Sequence, residues 1–128
     1  PITDANIEWF LLGYKKNIYP YLKKAQIFVL TSLWEDPGFV LIEAGFMNKI
    51  ILTSDCPNGP KELLAHGNNG FLFETQSFKD FQKKFKEINE SDKIFLLKKK
   101  ISFKKKIKEF TLFNHYKIFK NILKSNEN

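Results

Sequence analysis

Apolar residues come in short blocks up to residue 76 and at helical spacing after it. Ile7 to Leu12 is such a block, closed by Gly13, and predicts a strand. Ile27-Phe28-Val29-Leu30 is a compact apolar run, the pattern of a strand buried on both faces. Ile50-Ile51-Leu52-Thr53 predicts the next strand and Phe71-Leu72-Phe73 a shorter one. Between them the pattern predicts helices from near Pro20 to Ala25, from Pro37 to Asn48, and from Pro60 to His66-Gly67. Asn58 is the expected cap of the third, and Asn68-Asn69-Gly70 the turn that follows it. Strands alternating with helices through tight loops call for a parallel sheet covered by helices, a Rossmann-like α/β fold.

After residue 76 the period changes. Ser77 and Asp80 have the spacing of a capping box, and Phe78, Phe81, Phe85 and Ile88 follow as one helical stripe. Ser91 is the expected cap of a further helix through "KKKISFKKKIKEF". Leu112, Tyr116, Phe119 and Leu123 form the stripe of a last helix. There is no internal repeat or flexible linker, so one domain is expected, with an α/β core over 1–76 and C-terminal helices packed over 77–128.

An apolar fraction of 43% in 128 residues suits one globular domain with a modest core. No apolar run approaches the roughly 18–20 residues of a membrane span. The chain opens on Pro1 without an initiator Met or a signal-like leader, so a piece of something longer is expected. A lone Cys56 fits a reducing compartment. The net charge of +7 is uneven: from Lys79 onward 15 Lys face 6 acids, while residues 1–78 carry 6 Lys against 8 acids. All the basic residues are Lys, and the absence of Arg counts against dedicated nucleic-acid recognition. The runs at 98–100 and 104–106 fit a solvated helix face, attraction to an anionic membrane surface, or a phosphate-backbone face.

Ligands of open parallel sheets sit beyond the carboxyl ends of the strands. Three predicted loops fall there: Gly13 to Asn17, Thr31 to Gly38, and Ser54 to Pro60. The second runs into "EDPGFVLIE", where Glu35 and Glu43 flank a Pro37-Gly38 turn. The backbone N–H groups of Gly38, Phe39 and Val40 at a helix start favour a phosphate, and a residue without Cβ lets it come close. Glu43 has Phe39, Val40, Phe46 and Met47 three and four residues away, a stripe that should pack into a core. A carboxylate there must find donors or stand at the lip of a cleft, and sugar hydroxyls are suitable donors. Lys61 and Gly59 are candidates near the same opening, Glu62 suits a helix N-terminus, and His66 and His115 read as structural. No Asp-x-Asp pair and no Cys/His cluster has ligand spacing, so no metal or cofactor is expected.

With its glycine between the two glutamates and an apolar helix after, "EDPGFVLIE" resembles the E-x7-E signature of glycosyltransferase family 4, retaining enzymes of GT-B fold. The likeness extends over residues 7–73, through "YPYLKKA" and "SDCPNGPKELL…GNNGFLF", to the donor-binding C-terminal domain of that family. Its "GPKE" variant resembles enzymes that build lipid-linked glycans and surface polysaccharides, lipopolysaccharide among them, from UDP-sugars. The resemblance implies that Glu35 contacts the donor sugar as the catalytic carboxylate and that Glu43 holds the ribose. It implies that Gly38-Phe39-Val40 receive the diphosphate, with Gly13 and Tyr14 near the base and Gly59 near the sugar. Asp36-Pro37 stand where Gly-Phe is common, which bears on the shape of the sugar pocket. The implied partners are a nucleotide-sugar donor and a glycan or lipid-linked acceptor. The implied location is the cytoplasm, peripheral at the inner face of the cytoplasmic membrane. The acceptor domain and a basic pair for the leaving diphosphate are expected upstream of Pro1, so this chain alone is not expected to be competent. The rival reading is a noncatalytic nucleotide- or nucleic-acid-binding module using the lysine-rich helices.

Overall fold

The structure, a computed structural model, describes residues 8–36 and 38–125. Helix α1 (Tyr19–Lys24) leads into strand β1 (Ile27–Leu30), α2 (Phe39–Phe46), β2 (Ile50–Ser54), α3 (Pro60–Leu63) and β3 (Phe71–Phe73). Helices α4 (Phe78–Glu90) and α5 (Lys93–Ile107) follow, then a 3-10 turn (Lys108–Phe110) and α6 (Leu112–Ser125). The strands pair in parallel in the order β1-β2-β3, with Ile27 beside Ile50 and Leu52 beside Phe71. This is the expected Rossmann-like arrangement with a helical C-terminal end.

Alternation along β2 builds two cores. Ile51 faces Leu22, Leu41, Ala44, Leu64 and Phe103 on one side of the sheet. Ile50 and Leu52 face Phe71, Phe73 and Ile88 on the other. All five β2 residues are buried, as expected of a central parallel strand. β1, expected to be buried on both faces, is instead half-buried with Val29 exposed, because the helices lie mainly over its neighbours, α2 and α5 on β2 and α4 on β3.

Helix α5 joins the two cores. Phe103 and Ile107 enter the first and Leu96 packs on the second. Between them Lys99 donates to the carbonyls of Gly67 (2.6 Å) and Gly70 (3.1 Å), just before β3, and lies over the rings of Phe71 and Phe95. Ser102 donates to Asn69 at 2.6 Å. These contacts place the middle of α5 beneath the N-terminal end of β3. Close approach to α2 depends on Gly45, where a Cβ would meet Phe103 Cε1 at 2.6 Å and Ile107 Cδ1 at 2.8 Å.

Several expectations are corrected. Glu8–Leu12 form no strand, and Ile7 lies outside the described residues. Trp9, Phe10 and Leu11 are exposed, and no sheet neighbour among the described residues pairs with the segment. Helix α3 ends at Leu63 rather than His66-Gly67, since Ala65 and His66 take left-handed φ of 47° and 55°. Its N-cap is Gly59 (φ 129°) with no side-chain cap, and Asn58 is itself left-handed (φ 64°). In α4, Ser77 Oγ accepts from Asp80 N–H at 3.3 Å, but the Asp80 carboxylate accepts from Glu74 N–H, so only half the capping box forms. Of its stripe Ile88 is buried, whereas Phe78 and Phe85 are exposed and stack on Phe81. Asp92, not Ser91, caps α5, accepting from the N–H groups of Ile94 and Phe95. The α6 stripe is exposed, Leu112 at 87%, because that helix rests mainly on the preceding 3-10 turn.

Candidate functional site

The carboxyl ends of β1 and β2 deliver the loops 31–38 and 55–59 to one edge of the sheet. Two hydrogen bonds lace these loops together. Glu35 N–H donates to Pro57 O at 3.3 Å, and Ser54 Oγ, at the end of β2, donates to Ser32 O. Asp55 N–H donates to Phe73 O at 2.8 Å, which extends the β2–β3 ladder past the strand. These contacts between the loops use backbone and hydroxyl groups, not the carboxylates of the edge.

Gly38 is the N-cap of α2, buried, with φ 80° and ψ 47°. An L side chain is strained in that left-handed conformation, and glycine is not. No side chain caps this end of the helix. The half-buried Glu35 curls over it: its Oε2 lies 3.6 Å from the point a Cβ on residue 38 would occupy. A carboxylate and an uncapped helix start thus share one corner. Asp36 beside it is exposed, and Pro37 lies outside the described residues.

Glu43 is not in the core stripe. Leu41, Ile42, Ala44 and Gly45 turn inward, whereas Phe39 and Phe46 are exposed and Val40 and Met47 half-buried. Glu43 is half-buried at the flank of α2 toward α1, where the Tyr19 hydroxyl donates to its Oε1 at 3.4 Å. That long bond leaves Oε2 to accept from something else. Tyr19 escapes a reading of the motif because it stands 24 residues away. The one local signal is Pro20, in the first turn of α1, which marks Tyr19 as lying at that helix's start.

Gly59 (φ 129°, ψ −52°) starts α3 next to a cleft of about 420 Å³ lined by Asp55, Cys56, Pro57, Lys61 and His66. Lys61 and Asp55 pair across it at 3.0 Å; both are solvated, so the pair adds about 0–1 kcal/mol. Cys56 is a buried free thiol, and His66 is exposed at the rim. Gly13 and Tyr14 lie in an irregular stretch, both exposed. His115 lies far along the chain on α6, exposed.

A parallel three-stranded sheet flanked by helices, with a helical C-terminal end, agrees with a family relationship of the sequence. The family model of glycosyl transferases group 1 matches residues 3–110. The chain belongs to this family. An uncharacterized glycosyltransferase of Methanocaldococcus jannaschii is 42% identical over 56 residues, covering 44% of this chain and 14% of the relative. A second relative is N-acetylgalactosamine-N,N'-diacetylbacillosaminyl-diphospho-undecaprenol 4-alpha-N-acetylgalactosaminyltransferase of Campylobacter jejuni. It is 30% identical over 95 residues, 73% of this chain and 26% of its own length. UDP-Gal:alpha-D-GlcNAc-diphosphoundecaprenol alpha-1,3-galactosyltransferase of Escherichia coli is 33% identical over 81 residues, 62% and 21% of the two chains. This group 1 chain thus spans about a quarter or less of the length of these relatives. Among its described residues no helix is long and apolar enough to cross a membrane.

Proposed function

We propose that this group 1 chain supplies the donor site of a glycosyltransferase. The enzyme would move a hexosyl or N-acetylhexosaminyl group from a nucleotide diphosphate sugar, a UDP-sugar, to a lipid-linked or polysaccharide acceptor. The anomeric configuration would be retained. The observation that carries this reading is the corner where Glu35 overhangs the left-handed Gly38 at the uncapped start of α2. A diphosphate seated there meets backbone N–H groups and the positive end of the helix dipole. As the glycosidic bond breaks, negative charge grows on that diphosphate, and fixed donors facing it lower the barrier. Glu35 hydrogen-bonds hydroxyls of the sugar, and Glu43, oriented by Tyr19, accepts from the ribose hydroxyls. The chain contributes positioning and electrostatic stabilisation without a covalent step. Two of the relatives carry diphospho-undecaprenol acceptors in their names and one carries UDP-Gal, which supports the lipid-linked acceptor and the uridine donor.

The test is thermal melting with UDP and with UDP-sugars. UDP should raise the melting temperature, and Glu43→Gln should abolish the shift. Sugar transfer by the whole protein, with the product anomer assigned by NMR, tests retention, and undiminished transfer in EDTA tests metal independence. Salt-sensitive oligonucleotide binding with no response to UDP would sink the proposal in favour of a nucleic-acid module.

A further inference from the structure

The edge of the sheet opposite the candidate site is basic. A cleft of about 560 Å³ at the start of β1 and β2 is lined by Lys23, Lys24, Lys49, Lys93 and Lys100. It shares Asn48 and Lys100 with a second cleft of about 630 Å³, which adds Lys104, Lys105 and Lys108. No carboxylate lines either one. Among the described residues, ion pairs engage Lys61, Lys84, Lys86 and Lys106, and none of the lysines of these clefts. Lys49 is committed to the carbonyls of Lys23 and Ala25, and Lys104 to Asn48 Oδ1.

Apolar residues run through the same surface. With Phe103 and Ile107 of α5 turned into the core, helical spacing puts Ile94, Leu97, Ile101, Lys105 and Lys108 on the outward side. Ile94, Leu97 and Ile101 are 62%, 53% and 55% exposed, with Lys98 and Lys100 flanking them. Aliphatic side chains between lysines suit a bilayer whose headgroups are anionic: the stems and aliphatics enter the acyl boundary while the ammonium groups stay at phosphate level. Nucleic acid is less suited, since it is gripped through stacking rings and guanidinium forks, and neither cleft is lined by an aromatic ring or an Arg. A second copy is less suited still, because a two-fold contact through this face would set lysine against lysine.

We propose that the outward face of α5, with the lysine clefts beside it, docks this protein on an anionic phospholipid surface and leaves the Glu35–Gly38 edge open to the aqueous side. This docking does not depend on the transfer reaction. The test is cosedimentation of the whole protein with phosphatidylcholine vesicles containing or lacking phosphatidylglycerol. Binding should need phosphatidylglycerol and weaken with salt. Lys98→Glu/Lys105→Glu/Lys108→Glu should cut it by about a hundredfold or more, each lysine near such a surface strengthening binding roughly fivefold. Ile101→Ser should weaken binding and leave its salt dependence in place; it is the readout if the triple variant melts early. The docking is overturned by equal binding to both vesicle types, or by unchanged binding in both variants. It is also overturned if oligonucleotide binding or self-association, not vesicle binding, responds to them. The UDP melting shift should persist in Ile101→Ser; its absence from the unaltered protein would count against the donor site alone.

Discussion

Gly38 and Lys99 show how much a single residue's backbone or burial can decide. Gly38→Ala must place a Cβ on a residue at φ 80°, which costs about 1–2 kcal/mol, and beside the Glu35 carboxylate. The expected outcome is a lower melting temperature and a lost UDP response, measured on one sample with and without UDP. Lys99 is lowered from the ordinary lysine value of 10.5 by burial, with the Glu87 carboxylate opposing and Lys84 adding to the shift. Below its folded pKa both folded and unfolded chains carry the proton, and the burial cost stands in full. Between that value and 10.5 only the unfolded chain stays protonated, so stability rises with pH across that window. Urea unfolding at a series of alkaline pH values should show this rise, and Lys99→Met should remove it. Glu35, Gly38 and Glu43 are candidates legible in nine consecutive residues, and the structure brings the first two to one corner. The Tyr19 hydroxyl on Glu43 is not legible there, because a contact across 24 residues leaves no local mark.

At the scale of elements, caps and close approaches set where helices begin and how they meet. Asp92 satisfies two N–H groups at the start of α5, and Asp92→Ala should cost about 1 kcal/mol in urea unfolding. Gly45→Ala, at the crossing of α2 and α5, should cost about 1–3 kcal/mol, since the added methyl overlaps two fully buried side chains. A helix-propensity argument gives the opposite sign for that change, so the same titration separates the two. β1 and β3 coincide with their apolar runs, and β2 extends its run by one residue to Ser54. The early stop of α3 at Leu63 and the absence of a strand at residues 8–12 have one reason. Local pattern states a preference, while left-handed turns and the presence of a pairing strand decide whether it is realised.

For the molecule as a whole, two cores on either side of β2 are tied together by α5. Phe103→Ala empties the centre of the first, and a loss of about 3–5 kcal/mol is expected in urea unfolding, a large part of a small domain's stability. The surface is polarised: candidate donor chemistry occupies the carboxyl edge of the sheet, and the lysine clefts occupy the opposite one. By itself the sequence determined the order of strands and helices from α1 onward, the parallel sheet and the residues at the start of α2. Each follows from periodicity and turn chemistry within a dozen residues. Only the tertiary structure decided that β1 is half-buried, that Glu43 stands beside Tyr19, and that the lysine runs of α5 join Lys23, Lys24 and Lys49 in one basic surface. Those outcomes depend on which distant segments come to lie side by side, which is settled by packing Phe103, Ile107 and Leu96 against the two faces of the sheet.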